Sequence, residues 1–222
     1  EKLRNSLINR QNADAELKQL KSVLDLAGTA QYKVVSAKVI SLGSTSSFTQ
    51  TISIDAGMNM GVRQNMTVIS GLGLVGVVKI SYPNHALVQL TTDPAFRVGA
   101  RVAGSQQIGI LSGQGTNKAV LQLLDNQTTL KVGDVILARG SQNNRPFVPG
   151  VPIGAVTSVD NAAGAITQTA DVKLYANCSA LSVVAVVVGA PKTDPRDALV
   201  PKAPAPAPTV TIYATPSESP TP

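Results

Sequence analysis

Apolar positions in the first part of the chain recur at helical intervals. Residues 2–26 contain no proline or glycine and are dominated by Leu, Lys, Gln, Ala and Glu, all good helix formers. Leu17, Leu20 and Leu24 follow a three–four spacing. Leu3 and Arg10 share the heptad position of Leu17 and Leu24, while Ser6 and Ala13 share that of Leu20, so the apolar seam is strong only at its C-terminal end. Gly28 stands where a C-capping glycine would end the helix. Twenty-five residues span roughly 37 Å at the standard rise. So polar a helix must either pair with another helix or lay its leucines on the domain behind it. The favoured reading is the end of a coiled coil begun upstream, self-associating through Leu3, Leu17, Leu20 and Leu24.

From Val34 to Gly189 the periodicity changes to that of strands. Residues 51–55 alternate cleanly, as do residues 166–174, where Thr167, Thr169, Asp171 and Lys173 face one way. The run 183–188 is apolar throughout, which predicts a strand buried on both faces. Turn signals recur at Ala56-Gly57, Tyr82-Pro83-Asn84, Asp93-Pro94, Gly113-Gln114-Gly115 and residues 160–164. Many short strands at this spacing predict small barrels or sandwiches. There is also an internal echo. Residues 61–69 leading to 74–78, and residues 131–136 leading to 153–156, both read as turn, strand, glycine-containing connection, strand. Two related β modules would produce this, and so would chance similarity between Val/Gly-rich stretches.

Composition narrows the picture. The core must be built from Val, Ile, Leu and Ala, since the chain has no Trp and few aromatics. Nine of its 14 prolines fall in 191–222, where there is no glycine, and residues 201–208 alternate Pro and Ala after Lys202. Such a segment favours an extended polyproline conformation and buries too little to offset its ordering entropy, so 191–222 is expected to be a disordered tail. Of the formal charge of +6, +5 is spread singly through the middle of the chain, without the basic clusters and interleaved aromatics of a nucleic-acid binder. No apolar run reaches the roughly 20 residues a membrane-spanning helix needs, so any anchor is expected upstream of Glu1.

Candidate chemistry is sparse. Gly71-Leu72-Gly73-Leu74-Val75-Gly76 matches the dinucleotide-binding fingerprint, with Asp93 near the place of the ribose acid. That chemistry requires a helix opening on the last glycines, and a strand-like run follows instead, so the glycines read as those of a hairpin and no cofactor is expected. His85 is the single histidine and sits after Pro83-Asn84 in a turn. Ser112, with Asp93 as third member, is the least implausible nucleophile, but no Gly-x-Ser-x-Gly elbow accompanies it. One His and one Cys cannot make a zinc site. Cys178 reads as inert core.

A set of short blocks, in order, resembles the bacterial rod shape-determining MreC family. They are Ala37-Lys38-Val39-Ile40, Ile54-Asp55-Ala56-Gly57 with Gly61-Val62, and Gly73-Leu74-Val75-Gly76-Val77-Val78. They continue with Val88-Gln89-Leu90-Thr91-Thr92-Asp93, Gly109-Ile110-Leu111-Ser112-Gly113, Gly133-Asp134-Val135-Ile136 and Pro149-Gly150-Val151-Pro152-Ile153-Gly154-Ala155-Val156. The resemblance covers about residues 15–190. The family often has Thr-Ser-Gly after its Gly-Asp strand, whereas this chain has Leu137-Ala138-Arg139-Gly140, and the long tail is not general in the family.

The resemblance implies a mainly β fold of two small six-stranded β-barrels, with trypsin-like topology but no catalytic residues, preceded by a coiled-coil helix. The expected division is helix 1–28, β domain 31–104, β domain 105–190, with interleaving left open, and tail 191–222. It further implies a non-enzymatic scaffold of the cell-elongation machinery on the outer side of the cell membrane, held by an upstream single-pass anchor. Implied partners are a second copy (dimer or filament), a penicillin-binding transpeptidase and other elongation-complex membrane proteins. Two rival readings are a membrane-fusion adaptor and a trypsin-like secreted protease. Adaptors insert a helical hairpin between strands, whereas here one helix precedes every strand. The protease reading lacks a triad.

Overall fold

A computed structural model describes residues 2–43, 49–105, 107–124, 130–160, 167–191 and 193–201, with only the backbone of residues 2–9. Helix α1 (Lys2–Thr29) leads into strand β1 (Lys33–Leu42). The reversal between them is a left-handed cap. Gln31 takes φ 56°, Tyr32 N–H donates to Ala27 O at 2.9 Å and Gln31 N–H to Gly28 O at 3.1 Å. Gly28 therefore lies in the last helical turn, and Gln31 occupies the capping position expected for the glycine.

Two closed barrels follow, antiparallel throughout. The first joins β1 to β2 (Thr51–Ile54), β3 (Thr67–Ser70), β4 (Gly73–Ser81), β5 (Ala86–Leu90) and β12 (Val183–Gly189), in the order β1-β12-β3-β4-β5-β2. The second comprises β6 (Arg97–Val102), β7 (Ile108–Gly113), β8 (Lys118–Leu123), β9 (Val135–Ala138), β10 (Pro152–Asp160) and β11 (Thr169–Leu174), in the order β10-β11-β8-β7-β6-β9.

The two circuits superimpose when β1–β5 are matched with β7–β11 and β12 is matched with β6. Each half of the chain thus supplies five strands to its own barrel and its sixth to the other. The β domains are interleaved. The boundary lies between Leu90 and Arg97 rather than at 104, and the last strand returns to the first barrel, because β6 pairs with β7 and β9 while β12 pairs with β1 and β3.

The echo between residues 61–78 and 131–156 has a matching structural basis. In the first barrel Asn65 N–H donates to Val78 O, and Val78 N–H to Met66 O. In the second, Gly133 N–H donates to Val156 O, and Val156 N–H to Asp134 O. A Cβ on Gly76 would fall 1.9 Å from Gln89 O of β5, and one on Gly154 would fall 2.2 Å from Lys173 O of β11. Both glycines let the strand after the hairpin press against its neighbour.

The first barrel encloses Ile52, Ile54, Val68, Val75, Val78, Val88, Val184 and Val186. Its outer face is apolar where β3, β4 and β12 turn toward the rest of the molecule. Ile69, Leu74, Val77, Ala185 and Val187 there join the interior of the second barrel, together with Val23, Ala27 and Ala30 of α1, in one continuous core. That continuity accounts for the unbroken apolar run of β12, which is buried on both faces as its sequence predicts.

Tyr32 O–H crosses the seam to Pro149 O, and Thr67 Oγ1 donates to Pro146 O at 2.9 Å while accepting from Val148 N at 3.0 Å. Burial and the nearby Asp194 carboxylate hold the Tyr32 phenol well above its ordinary pKa.

The chain does not leave the body at residue 191. Leu199 is buried in the joint core, so the expected disordered tail is corrected for 193–201, where apolar burial and an ion pair anchor the chain. Residues 202–222 lie outside the described residues.

Candidate interaction surface

α1 runs back along β1 and β12. Its contacts follow from its geometry: at about 100° per residue, Glu16, Gln19, Leu20, Val23, Leu26, Ala27 and Ala30 fall on one face. Val23, Ala27 and Ala30 are buried, and Leu20 and Leu26 are half-buried. Gln19 Oε1 accepts from the backbone N–H of Ser182 at 3.2 Å and Val183 at 3.1 Å, capping the start of β12. Glu16 bonds Lys38 Nζ of β1 at 2.7 Å, which raises the Lys38 pKa.

The leucines singled out by heptad spacing occupy a flank of this face. Leu17 and Leu24 lie roughly 100–120° from Val23 around the helix and are 54% and 49% exposed. Leu20 turns into a groove of about 490 Å³ between helix and barrel, walled also by Ala13, Leu17, Ala37, Met60 and Val183, with Glu16, Lys38 and Asp55 among its polar lining. Met60 is half exposed, and Ile40 and Leu42, further along the strand that carries Lys38, are also exposed. The structure thus brings Leu17, Leu20 and Leu24 to one side of the molecule, beside a groove. The side chain of Leu3 lies outside the described residues.

Sequence reasoning missed the buried face. Val23, Ala27 and Ala30 make a small-residue stripe one step round from the leucines, and the three–four spacing of 16, 20, 23, 27 and 30 was its signal.

The residues weighed for catalysis are dispersed. His85 lies in the β4–β5 turn of the first barrel, its ring stacked on Tyr82 at 4.5 Å. Asp93 is buried in the connection between barrels, where Oδ2 accepts from Gln50 N at 2.6 Å and Oδ1 from Ala95 N at 2.7 Å. Its carboxylate shapes a corner. Ser112 sits on β7 opposite Arg97. Cys178 is buried, contacts Thr91 Oγ1 at 3.7 Å, and burial pushes its thiol pKa up, which disfavours the thiolate. Among the described residues, no three His, Cys, Asp or Glu side chains are grouped as metal ligands.

The glycine fingerprint is the β3–β4 hairpin. A Cβ on Gly71 would meet Ser22 of α1 at 2.0 Å, and one on Gly73, at φ 149°, would meet Pro152 O of the second barrel at 2.2 Å. Those two glycines let the hairpin wedge between helix and second barrel, and no helix opens on them.

Residues 39–188 match the family described as rod shape-determining protein MreC, barrel core. The cell shape-determining protein MreC of Streptococcus pneumoniae is 28% identical over 178 residues, 78% of this chain and 65% of the relative. That of Listeria monocytogenes is 31% identical over 178 residues, 78% of this chain and 59% of the relative. The chain therefore spans about two thirds or less of these relatives' length. Among solved structures, an MreC chain aligns with TM-score 0.68 and 26% identity, over 81% of this chain and 98% of that one. The major periplasmic domain from the cell shape-determining filament MreC aligns with TM-score 0.59 and 28% identity, over 70% of this chain and 95% of that one. A chain of the complex between Penicillin-Binding Protein (PBP2) and MreC from Helicobacter pylori aligns with TM-score 0.53 over 70% of this chain and 99% of that one, and at 18% identity shares the fold alone.

Proposed function

The chain belongs to the MreC family of rod shape-determining proteins, and from that premise we propose that it is a non-catalytic scaffold of the bacterial cell-elongation complex. In this reading it maintains rod shape by linking the shape-determining cytoskeleton to peptidoglycan synthases. It works on the extracytoplasmic side of the cell membrane, held by an anchor upstream of Glu1. No helix among the described residues is long and apolar enough to cross a membrane. Its partners are a second copy of itself, as dimer or filament, a penicillin-binding transpeptidase and other elongation-complex membrane proteins.

The observation that carries this reading is the apolar flank of α1. Leu17 and Leu24 are exposed beside the groove that takes Leu20, on a body where Asp93 shapes a corner, His85 lies in a turn and Ser112 sits on a strand. Two exposed leucines one heptad apart form half of a helix–helix seam. Leu17, Leu20 and Leu24, continued toward Leu3, are assigned to self-association.

The test is the full-length protein with Leu17→Lys and Leu24→Lys, expressed in place of the wild type. Loss of rod shape, loss of the paired species in the membrane and loss of co-purified penicillin-binding transpeptidase are expected, with the β body still folded. Normal cell width with unchanged pairing and co-purification would sink the assignment.

A further inference from the structure

Chain continuity sends residues 193–201 from the end of the first barrel back across the second. After β12, Pro191 O accepts from Asn144 Nδ2 at 3.3 Å. Arg196 then takes φ 51°, with its N–H bonded to Asp194 Oδ1 at 2.8 Å, turning the chain sharply. Pro195 lies against Gly150, where an added Cβ would fall 2.6 Å from the proline ring. Asp197 makes two bonds to the second barrel: Oδ1 accepts from Arg101 Nη1 at 2.6 Å, and Oδ2 from Gly104 N at 2.9 Å. Arg101 belongs to β6 and its side chain is only 13% exposed, with Asp194 a further 3.9 Å from Nη2. Two residues on, Leu199 is 8% exposed. It walls a groove of about 440 Å³ with Leu26 and Thr29 of α1, Gly71 and Leu72 of the first barrel, and Pro152 and Tyr175 of the second.

An ionic latch and an apolar plug thus stand two residues apart and act on three bodies. The latch holds one exchanged strand, β6, to the chain that has just left the other, β12. Nothing in the segment completes a sheet, so its contacts govern how the bodies sit together rather than whether each barrel closes. We infer that residues 193–201 form a clasp that closes the seam between α1 and the two barrels, and that releasing Asp197 and Leu199 opens that seam locally while both barrels stay folded. Opening exposes the apolar walls at Leu26, Pro152 and Tyr175. This reading is independent of what α1 pairs with.

Hydrogen exchange on the full chain tests it. Three backbone N–H groups report on the seam through bonds whose acceptors lie outside residues 193–201: Ala30, which donates to Leu26 O, Tyr32, which donates to Ala27 O, and Tyr175, which donates to Ile153 O. The amides of β2 and β5 report on the far side of the first barrel. Asp197→Asn and Leu199→Ser should each accelerate exchange at the three seam amides by roughly tenfold and leave β2 and β5 within about twofold. Leu199→Met should restore protection. Unchanged seam amides in Leu199→Ser would overturn the clasp. So would acceleration spread evenly through both barrels, or failure of either variant to fold, since the segment would then be an ordinary part of one cooperative core.

Discussion

Gly76 and Gly154 occupy equivalent places in the two barrels, and in each the missing side chain is what admits a neighbouring carbonyl. Gly76→Ala or Gly154→Ala must push apart β4 and β5, or β10 and β11, and should lower stability by about 2 kcal/mol or more in urea unfolding. Gly28 makes the contrast. It is helical, without positive φ, and nothing lies within 4 Å of its added Cβ. Gly28→Ala should raise stability by up to about 1 kcal/mol. Asp197 carries a pH signature. Hydrogen bonding to Arg101 holds its carboxyl below the ordinary value. Its contribution is therefore present above the unfolded carboxylate pKa of about 3.9 and is lost as pH falls through the lowered folded value. The urea midpoints of wild type and Asp197→Asn should differ at pH 7 and converge in acid. At this scale the sequence announced the glycines of the hairpin but not their separate partners. Gly71 answers to Ser22, Gly73 to Pro152 and Gly76 to Gln89, contacts that only the folded chain brings together.

Among the elements, α1 shows how a conspicuous pattern and a structural contact diverge. The leucines were legible because they are large. The contact was hidden because Val23, Ala27 and Ala30 are small, which is what allows the helix backbone to lie close against β12 and β3. Val23→Ala should cost about 2 kcal/mol, from lost burial plus the cavity left behind. Leu17→Ala with Leu24→Ala should change the stability of the isolated chain by under about 0.5 kcal/mol each, since both side chains are exposed. Calorimetry on the two variants separates these faces. The strands were more legible. The run of β12 and the alternation of β11 appear where the sequence pattern put them, because a strand buried on both faces is apolar throughout and a half-buried strand alternates with a period of two.

For the molecule as a whole, the echo between two stretches of sequence has become two equivalent barrels, yet their exchange of sixth strands was not readable. β1 pairs with β12 across some 150 residues, and local patterning carries no information about such a partner. The proline-rich composition after residue 190 likewise concealed the clasp, because Asp197 and Leu199 matter only through Arg101 and the seam. Truncation after Pro201 should leave the melting temperature unchanged, whereas truncation after Ala190 should lower it measurably by removing latch and plug together.

The exchange of strands also has a meaning in time. A ribosome delivers this chain from its N-terminal side onward, and among the described residues β12 is the final strand to appear. Until residues 183–189 emerge, the earlier barrel stands with a slot between β1 and β3, its valine-lined interior open to whatever is nearby. The later barrel already has its six strands by residue 174, so the half of the protein made first is the half completed last. A released chain ending at residue 182 should therefore protect the second barrel from protease while the first is still cut.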